Sequence, residues 1–155
     1  MAGTNFSDSF DKRDPEFIRS MMPAWEWLSK YYFRCKSSGW HNLPEEKCLI
    51  VGSHNGGISS PDLGLFMYDW FKRFGTDRAI HGLMHPMMWK GLTAMAKSAE
   101  KFGAVPAHPR YAFEAFKRDA PVLVPINLGR KSNSNAIWFL RRSESKLWEL
   151  FSINP

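Results

Sequence analysis

The sequence has few of the features that mark secreted, membrane-spanning or disulfide-rich proteins. Only two of its 155 residues are cysteines, Cys35 and Cys48, which is too few for a disulfide framework and favours a reducing compartment. No apolar run approaches the roughly 20 residues of a membrane-spanning helix, and the start of the chain lacks a signal-peptide pattern. We therefore predict a cytoplasmic protein in which both cysteines are small buried hydrophobic side chains.

Three common catalytic or binding patterns are missing as well. No G-x-S-x-G nucleophile elbow occurs, which argues against an α/β-hydrolase, although the stretch HNGG (54–57) is superficially similar to an oxyanion loop. His81 and His85 stand four residues apart but lack the glutamate of a metalloprotease helix, so we predict no metal site. Zinc-finger spacings and aromatics interleaved with arginines are absent, so nucleic acid is not the predicted partner.

The composition that remains is apolar and basic. Hydrophobic residues make up 44% and aromatic residues 15% of the chain, which is enough for one domain with a real core. Lysine and arginine outnumber aspartate and glutamate by 21 to 15. This basic surplus favours an anionic partner, either a bilayer surface or a phosphorylated substrate.

The N-terminal region divides into a leader and a helix. Residues 1–14 are polar, carry charges of both signs, and are predicted to be a flexible leader. Residues 15–36 repeat apolar side chains at helical spacing, and Pro23 is predicted to kink or restart this helix. Two interpretations stay open. The helix either packs on the core, or lies in a membrane interface with its Trp and Tyr rings at headgroup depth.

Short apolar runs and helical patterns alternate from residue 47 onwards. Strands are predicted at 47–52, 79–84, 102–107 and 121–124, and helices at 60–74, 88–101 and 111–118. Ser60, Pro61 and Asp62 form a helix-start pattern, and Gly75 is a stop signal. This alternation is typical of an α/β domain with a central, mostly parallel sheet flanked by helices.

One histidine follows the first predicted strand directly: His54, with Asp62 eight residues further on. Ligands of open α/β sheets gather beyond the carboxyl ends of strands. A histidine there can take a proton from a hydroxyl and return it. A carboxylate that accepts a hydrogen bond from its other nitrogen fixes the tautomer and stabilises the imidazolium. Eight extended residues span up to roughly 28 Å, so the pair meets only if Gly56-Gly57 lets the chain fold back. The alternative is a hydrogen-bonded loop histidine and an acid that only stabilises the helix start.

The stretch SHNGGISSPD (53–62) resembles the first motif of the phospholipid/glycerol acyltransferase family, the lysophospholipid acyltransferases. The common form of that motif is Asn-His, four residues and an aspartate. Here Ser53 precedes the histidine, and seven residues separate it from Asp62. Such a longer spacing with Gly-Gly is typical of a bacterial and plastid subgroup. The resemblance continues through residues 68–76, 81–90 and 102–112.

The resemblance implies that residues 15–124 are the N-terminal part of an acyltransferase domain of phospholipid biosynthesis. The implied reaction moves a fatty acyl group to a glycerolipid or lysophospholipid hydroxyl. Acyl-CoA or acyl carrier protein is the co-substrate, and no other cofactor is implied. His54 would be the general base and Asp62 would orient it, without an acyl-enzyme. The residues implied to bind substrate are Asn55, Gly56, Gly57, Gly103 and Arg110. The implied location is peripheral, on the inner membrane surface, held by residues 15–36 and basic patches.

Residues 125–155 depart from the family's pattern and are predicted to be an atypical tail. The family has a Pro-Glu-Gly or Pro-Gly-Gly turn after its third-block strand, whereas Ile126-Asn127 follows Pro125 here. We therefore predict a chain truncated or frameshifted after residue 124, with a basic amphipathic helix over Phe139–Phe151. This departure leaves an alternative open, a catalytically inactive lipid-binding fragment of the same fold. An α/β-hydrolase-like esterase is the less favoured alternative.

Overall fold

Helices and strands alternate along the computed structural model, which describes residues 6–44, 47–53, 61–91, 93–126, 136–140 and 147–152. The helices are α1 (Phe6–Asp11), α2 (Pro15–Trp27), α3 (Pro61–Phe74), α4 (Met87–Gly91), α5 (Thr93–Phe102) and α6 (Pro109–Lys117). The strands are β1 (Leu49–Ser53), β2 (His81–Met84), β3 (Val105–Pro106), β4 (Val122–Ile126), β5 (Ala136–Leu140) and β6 (Leu147–Ser152). A π-helical turn (Leu28–Tyr32) follows α2, and a 3₁₀ turn (Trp40–Asn42) precedes β1. Among the described residues, no helix combines the length and apolarity needed to span a membrane.

The strands form one sheet in the order β3-β2-β4-β1-β5-β6. The first four strands of this order are parallel to one another. For example, Ile50 of β1 pairs with Leu123 of β4, and Leu83 of β2 pairs with Val105 of β3. The predicted α/β fold with a parallel central sheet is therefore confirmed. β5 and β6 extend the β1 side of the sheet in the antiparallel direction.

Consecutive residues of β1 and β4 enter two separate cores, because successive side chains of a strand point to opposite faces. Ile50 and Leu123 lie in the first core, which α2 and α3 cover. Leu49 and Val122 lie in the second core, which α1 and α6 cover. The α3 crossover runs across the sheet towards β2, whereas α6 leads back from β3 to β4. Right-handed crossovers in opposite directions put these two helices on opposite faces.

The helix α3 begins and ends at the predicted signals. Its first residue is Pro61, whose missing N–H suits the first helical turn, and Asp62 is its second. Its last residue is Phe74, and Gly75 follows with a φ of +85°, a left-handed conformation that costs glycine little. Since α3 connects the end of β1 to the start of β2, its N-terminus lies where the parallel strands end.

The helix α2 packs on the first core over most of its length. The Asp14 side chain caps it by accepting a 2.9 Å hydrogen bond from the Phe17 N–H. Ile18 is fully buried, and the Phe17 ring contacts Phe102 edge-on at 5.6 Å between centroids. The helix continues through Pro23 rather than restarting there. Core packing, one of the two interpretations left open, therefore describes this part of the N-terminal segment.

Residues 6–14 differ from the flexible leader that we expected. They contain α1, and Phe10 is only 5% exposed. The Phe10 ring packs edge-on against His81, with 4.8 Å between ring centroids, and lies 6.0 Å from the Tyr111 ring. One buried aromatic side chain thus anchors a segment whose composition is otherwise polar, and composition alone therefore predicted the wrong state.

The predicted helix over Phe139–Phe151 is wrong. Ala136–Leu140 and Leu147–Ser152 are strands, and β5 pairs with the side of β1 that the parallel strands leave open. Pairing with β5 satisfies backbone groups that an unpaired edge of β1 would leave without strand partners. This tertiary contact overrides the helical spacing of the apolar residues. The sheet therefore includes part of the segment that we predicted to be an atypical tail.

The two cysteines lie in different environments. Cys48 is buried, as predicted, and burial raises the pKa of its thiol to about 12. A thiol with so high a pKa is not a nucleophile at neutral pH. Cys35, by contrast, is only half-buried, so the prediction of a buried side chain holds for Cys48 alone.

Candidate functional site

The four parallel strands end at one edge of the sheet, which we call the carboxyl edge. Ser53 ends β1 and pairs with Ile126 at the end of β4. Met84 ends β2 and pairs with Pro106 at the end of β3. The chain continues from Ser53 to His54, and the predicted site residues His54, Asn55, Gly56 and Gly57 lie outside the described residues.

Asp62 occupies the first turn of α3 at this edge. The connection from β1 to α3 leaves the sheet at Ser53 and re-enters regular structure at Pro61, both at the carboxyl edge. The first turn of α3, which contains Asp62, therefore lies at the same edge as the end of β1.

Arg110 lies in the first turn of α6, directly after β3, and is also at the carboxyl edge. Its side chain is exposed. Its backbone N–H donates a 3.2 Å hydrogen bond to His108 Nδ1. In the sheet order β3 is three strand spacings from β1, a distance of about 14 Å. Arg110 and the end of β1 thus share an edge but are not neighbours.

Gly103 lies at the opposite edge of the sheet, where β2 and β3 begin. It follows Phe102, the last residue of α5, and has a φ of +103°; a Cβ at this position would lie 2.7 Å from the carbonyl oxygen of Ile80. Its own carbonyl oxygen lies 3.1 Å from His81 Nδ1. The structure therefore does not bring Gly103 together with Asp62 or Arg110. Its position explains a requirement for glycine through local packing alone.

His81 is a buried, neutral imidazole beside Gly103. It is 3% exposed. Burial lowers the pKa of His81 to about 4, with a smaller contribution from the guanidinium groups of Arg13 and Arg118. Because a carbonyl oxygen can only accept, Nδ1 carries the proton and donates a hydrogen bond to the carbonyl oxygen of Gly103. This geometry and its place at the start of β2 make His81 a structural residue.

Two exposed histidines lie at the carboxyl edge: His85, which the sequence analysis considered for a metal site, and His108, which it missed. His85 and His108 each follow a strand and precede a proline that begins a turn or helix. In each case Nδ1 accepts a backbone N–H two residues on, from Met87 and from Arg110, at 3.2 Å. In the neutral ring the proton is then on Nε2, so each imidazole can donate at this edge. The repeated His-Pro dipeptide after a predicted strand is the signal that could have revealed His108.

The histidines do not assemble a metal centre in the described part of the chain. His81 and His85 lie at opposite ends of β2, separated by about 13 Å of extended backbone. Across the described ranges, no three His, Cys, Asp or Glu side chains are grouped so that they could hold a metal ion.

Comparisons with protein-family models, with curated protein sequences and with solved structures gave no match to this chain. The acyltransferase resemblance therefore depends on the motif residues of the sequence alone.

Proposed function

We propose that this protein transfers a fatty acyl group from acyl-CoA or acyl carrier protein to a hydroxyl of a glycerolipid or lysophospholipid. One observation carries the proposal: Asp62 lies in the first turn of α3, at the edge where β1 ends one residue before His54. This arrangement supports a histidine general base held by a carboxylate. The net charge of +6 also suits anionic donors and acceptors.

In the proposed reaction His54 takes the proton from the acceptor hydroxyl while the hydroxyl oxygen attacks the thioester carbonyl carbon. The tetrahedral intermediate collapses, the carbon–sulfur bond breaks, and the imidazolium returns the proton to the leaving thiolate. Asp62 accepts a hydrogen bond from the other ring nitrogen, which fixes the tautomer and stabilises the imidazolium. The products are an ester and a free thiol, and no acyl-enzyme forms.

The acceptor would lie along the carboxyl edge between β1 and β3. The exposed guanidinium of Arg110 is suited to its anionic headgroup, since arginine binds phosphate through several N–H donors. The long arginine side chain covers part of the distance of about 14 Å to β1, and the headgroup covers the rest. Asn55, Gly56 and Gly57 would shape the loop beside the reacting hydroxyl. Gly103 has no part in this proposal, because it lies at the opposite edge.

The experiment is an acyl-transfer assay with labelled acyl-CoA and, separately, labelled acyl carrier protein, with lysophospholipid as acceptor. His54→Ala should lower the rate by about 10²- to 10⁴-fold, the usual contribution of a general base. The matched control is His41→Ala, which removes an exposed histidine of the 3₁₀ turn that precedes β1. This variant should keep the wild-type rate.

Equal product formation by the wild type and by His54→Ala would contradict the proposal. If both proteins still bind lipid without turnover, the result favours the catalytically inactive lipid-binding protein of the same fold. Loss of activity in both histidine variants would trace the effect to stability rather than to chemistry, and unfolding curves of the two variants separate these cases.

A further inference from the structure

Aromatic rings are exposed at the end of α2 and in the π-helical turn that follows it, whereas aromatic rings earlier in the helix are packed. Trp27, Tyr31 and Tyr32 are 56%, 58% and 70% exposed, whereas Trp25 packs against Phe102 with 6.4 Å between ring centroids. Among the described residues these three make up half of the exposed large hydrophobic side chains. We call residues 27–32 the aromatic turn. Of the segment 15–36, only this part could present its rings to a membrane interface.

The backbone of the aromatic turn departs from regular α-helix. Residues 28–32 form a π-helix, in which the Phe33 N–H donates to the Leu28 carbonyl at 2.9 Å. Arg34 then has a φ of +51°, a left-handed conformation that is uncommon outside glycine. Such π-turns are energetically unfavourable and occur frequently at functional sites. The widened turn ends α2 and leaves its last aromatic side chains in solvent.

Cationic groups lie within the aromatic turn and along one side of it. The Lys30 ammonium lies 5.3 Å from the centre of the Tyr31 ring. A groove of about 480 Å³ adjoins the turn and runs between residues 35–37 and α3. Four cationic and two acidic side chains line it: Lys30, Lys36, Lys72, Arg73, Glu26 and Asp69. Glu26 lies 3.6 Å from Lys72, and Asp69 lies 4.0 Å from Arg73. Both acids are thus matched by a cation, and Lys30 and Lys36 supply the surplus.

We infer that the aromatic turn and the lysines beside it bind the surface of an anionic lipid bilayer. Trp and Tyr rings with one apolar and one polar side are suited to headgroup depth. Lysine side chains can lay their stems along an apolar surface and keep the ammonium among lipid phosphates. A protein partner fits less well, because lysine is depleted at protein–protein interfaces. The net charge of +6 adds a long-range attraction to the same surface.

The groove extends from this surface towards the end of α3 that carries Asp62. It extends along α3 to Leu65, which lies three residues, or about 4.5 Å of helix rise, after Asp62. A bilayer bound at the aromatic turn would therefore lie beside the end of α3 at which acyl transfer is proposed. The inference itself does not depend on that chemistry, since membrane binding is measured without any substrate.

The test is co-sedimentation of the full chain with sucrose-loaded vesicles of phosphatidylcholine, with or without phosphatidylglycerol. The wild type should bind the anionic vesicles and release them as salt is raised. Trp27→Ser with Tyr31→Ser should weaken binding at least about tenfold. Lys30→Gln with Lys36→Gln should weaken it about fivefold per lysine, since each lysine contributes about that factor at an anionic surface.

The matched controls lie elsewhere on the molecule. Phe113→Ser removes an aromatic ring that is 67% exposed on α6, on the opposite face of the sheet. Lys90→Gln with Lys97→Gln removes two exposed lysines of α4 and α5. Both controls should bind within about twofold of the wild type, apart from the small loss of net charge. The inference is overturned if the wild type fails to bind, if neutral vesicles bind equally well, or if the control variants weaken binding as much as those in the turn. A protein that binds no vesicles would leave a protein partner as the occupant of this surface.

Discussion

His81 shows how one buried imidazole makes folding depend on pH. The folded state holds it neutral, with a pKa lowered to about 4 by burial, against 6.5 for a solvated histidine. Between these values the unfolded chain binds a proton that the folded chain does not, so stability falls as the pH falls. The loss begins near pH 6.5, is complete below pH 4, and amounts to at most about 3 kcal/mol.

Urea unfolding at a series of pH values from neutral to acidic measures this effect. The variant His81→Gln keeps a donor for the Gly103 carbonyl but does not titrate, so its free energy of unfolding should fall less steeply with acid than that of the wild type. The same pH slope in both proteins would show that His81 is not the titrating group.

Gly103 and Gly75 offer a comparison between two positions with positive φ. Gly103→Ala combines backbone strain with a clash, since its Cβ would lie 2.7 Å from the Ile80 carbonyl oxygen. Gly75→Ala meets no atom within 4 Å, so only the strain of its φ of +85° remains. We expect a destabilisation of about 1 kcal/mol at Gly75 and of at least about 2 kcal/mol at Gly103. Thermal unfolding with Gly82→Ala as an unstrained control tests this order, and a smaller effect at Gly103 than at Gly75 would contradict it.

The candidate site was predictable where a residue type defines local backbone geometry. Pro61 signals a helix start, and Asp62 therefore lies in the first turn of α3 as predicted. Gly103 was assigned to substrate binding by the acyltransferase resemblance, in the block at residues 102–112, where a strand was predicted from 102 to 107. The strand begins only at Val105, so Gly103 lies before it, at the opposite edge. Short motifs identify residues but not the end of the strand at which they lie.

Among the elements, α1 makes a contribution that its polar composition hides. Phe10 is buried between His81 and Tyr111, and Phe10→Ala would leave a cavity in the second core. We expect it to lower the free energy of unfolding by about 3 kcal/mol. Phe113→Ala, which removes a largely exposed ring of α6, should change it by less than about 0.5 kcal/mol. Equal effects in urea unfolding would mean that α1 does not hold Phe10 in the core.

Elements bounded by strong local signals were predicted, and elements made by long-range pairing were not. The alternation of apolar runs with helical patterns predicted the first strand and the parallel sheet. Proline and glycine predicted where α3 begins and ends. β5 was not recognised because its existence depends on β1, which is distant in sequence. Its last two residues, Phe139 and Leu140, were assigned instead to the helix predicted over Phe139–Phe151.

At the scale of the whole molecule, the carboxyl edge and the aromatic turn are expected to act together. If the bilayer supplies the acceptor, Lys30→Gln with Lys36→Gln should reduce acyl transfer to a lysophospholipid embedded in anionic vesicles by up to about 25-fold, the product of about fivefold for each lysine. The same variant should transfer at the wild-type rate to a short-chain acceptor that is free in solution, because it leaves the proposed reacting groups unchanged. An equal loss with both acceptors would mean that these lysines act on the chemistry or on the fold.

Release of the free thiol from acyl-CoA, measured with and without a lysophospholipid acceptor, tests the central claim most directly. If His54 activates an acceptor hydroxyl for direct attack on the thioester, thiol is released only with acceptor present. That release should fall by at least about 10²-fold in His54→Ala and by less in Asp62→Asn, since Asp62 only supports the base. Thiol release that is independent of the acceptor, or that persists in His54→Ala, would contradict acyl transfer by this histidine.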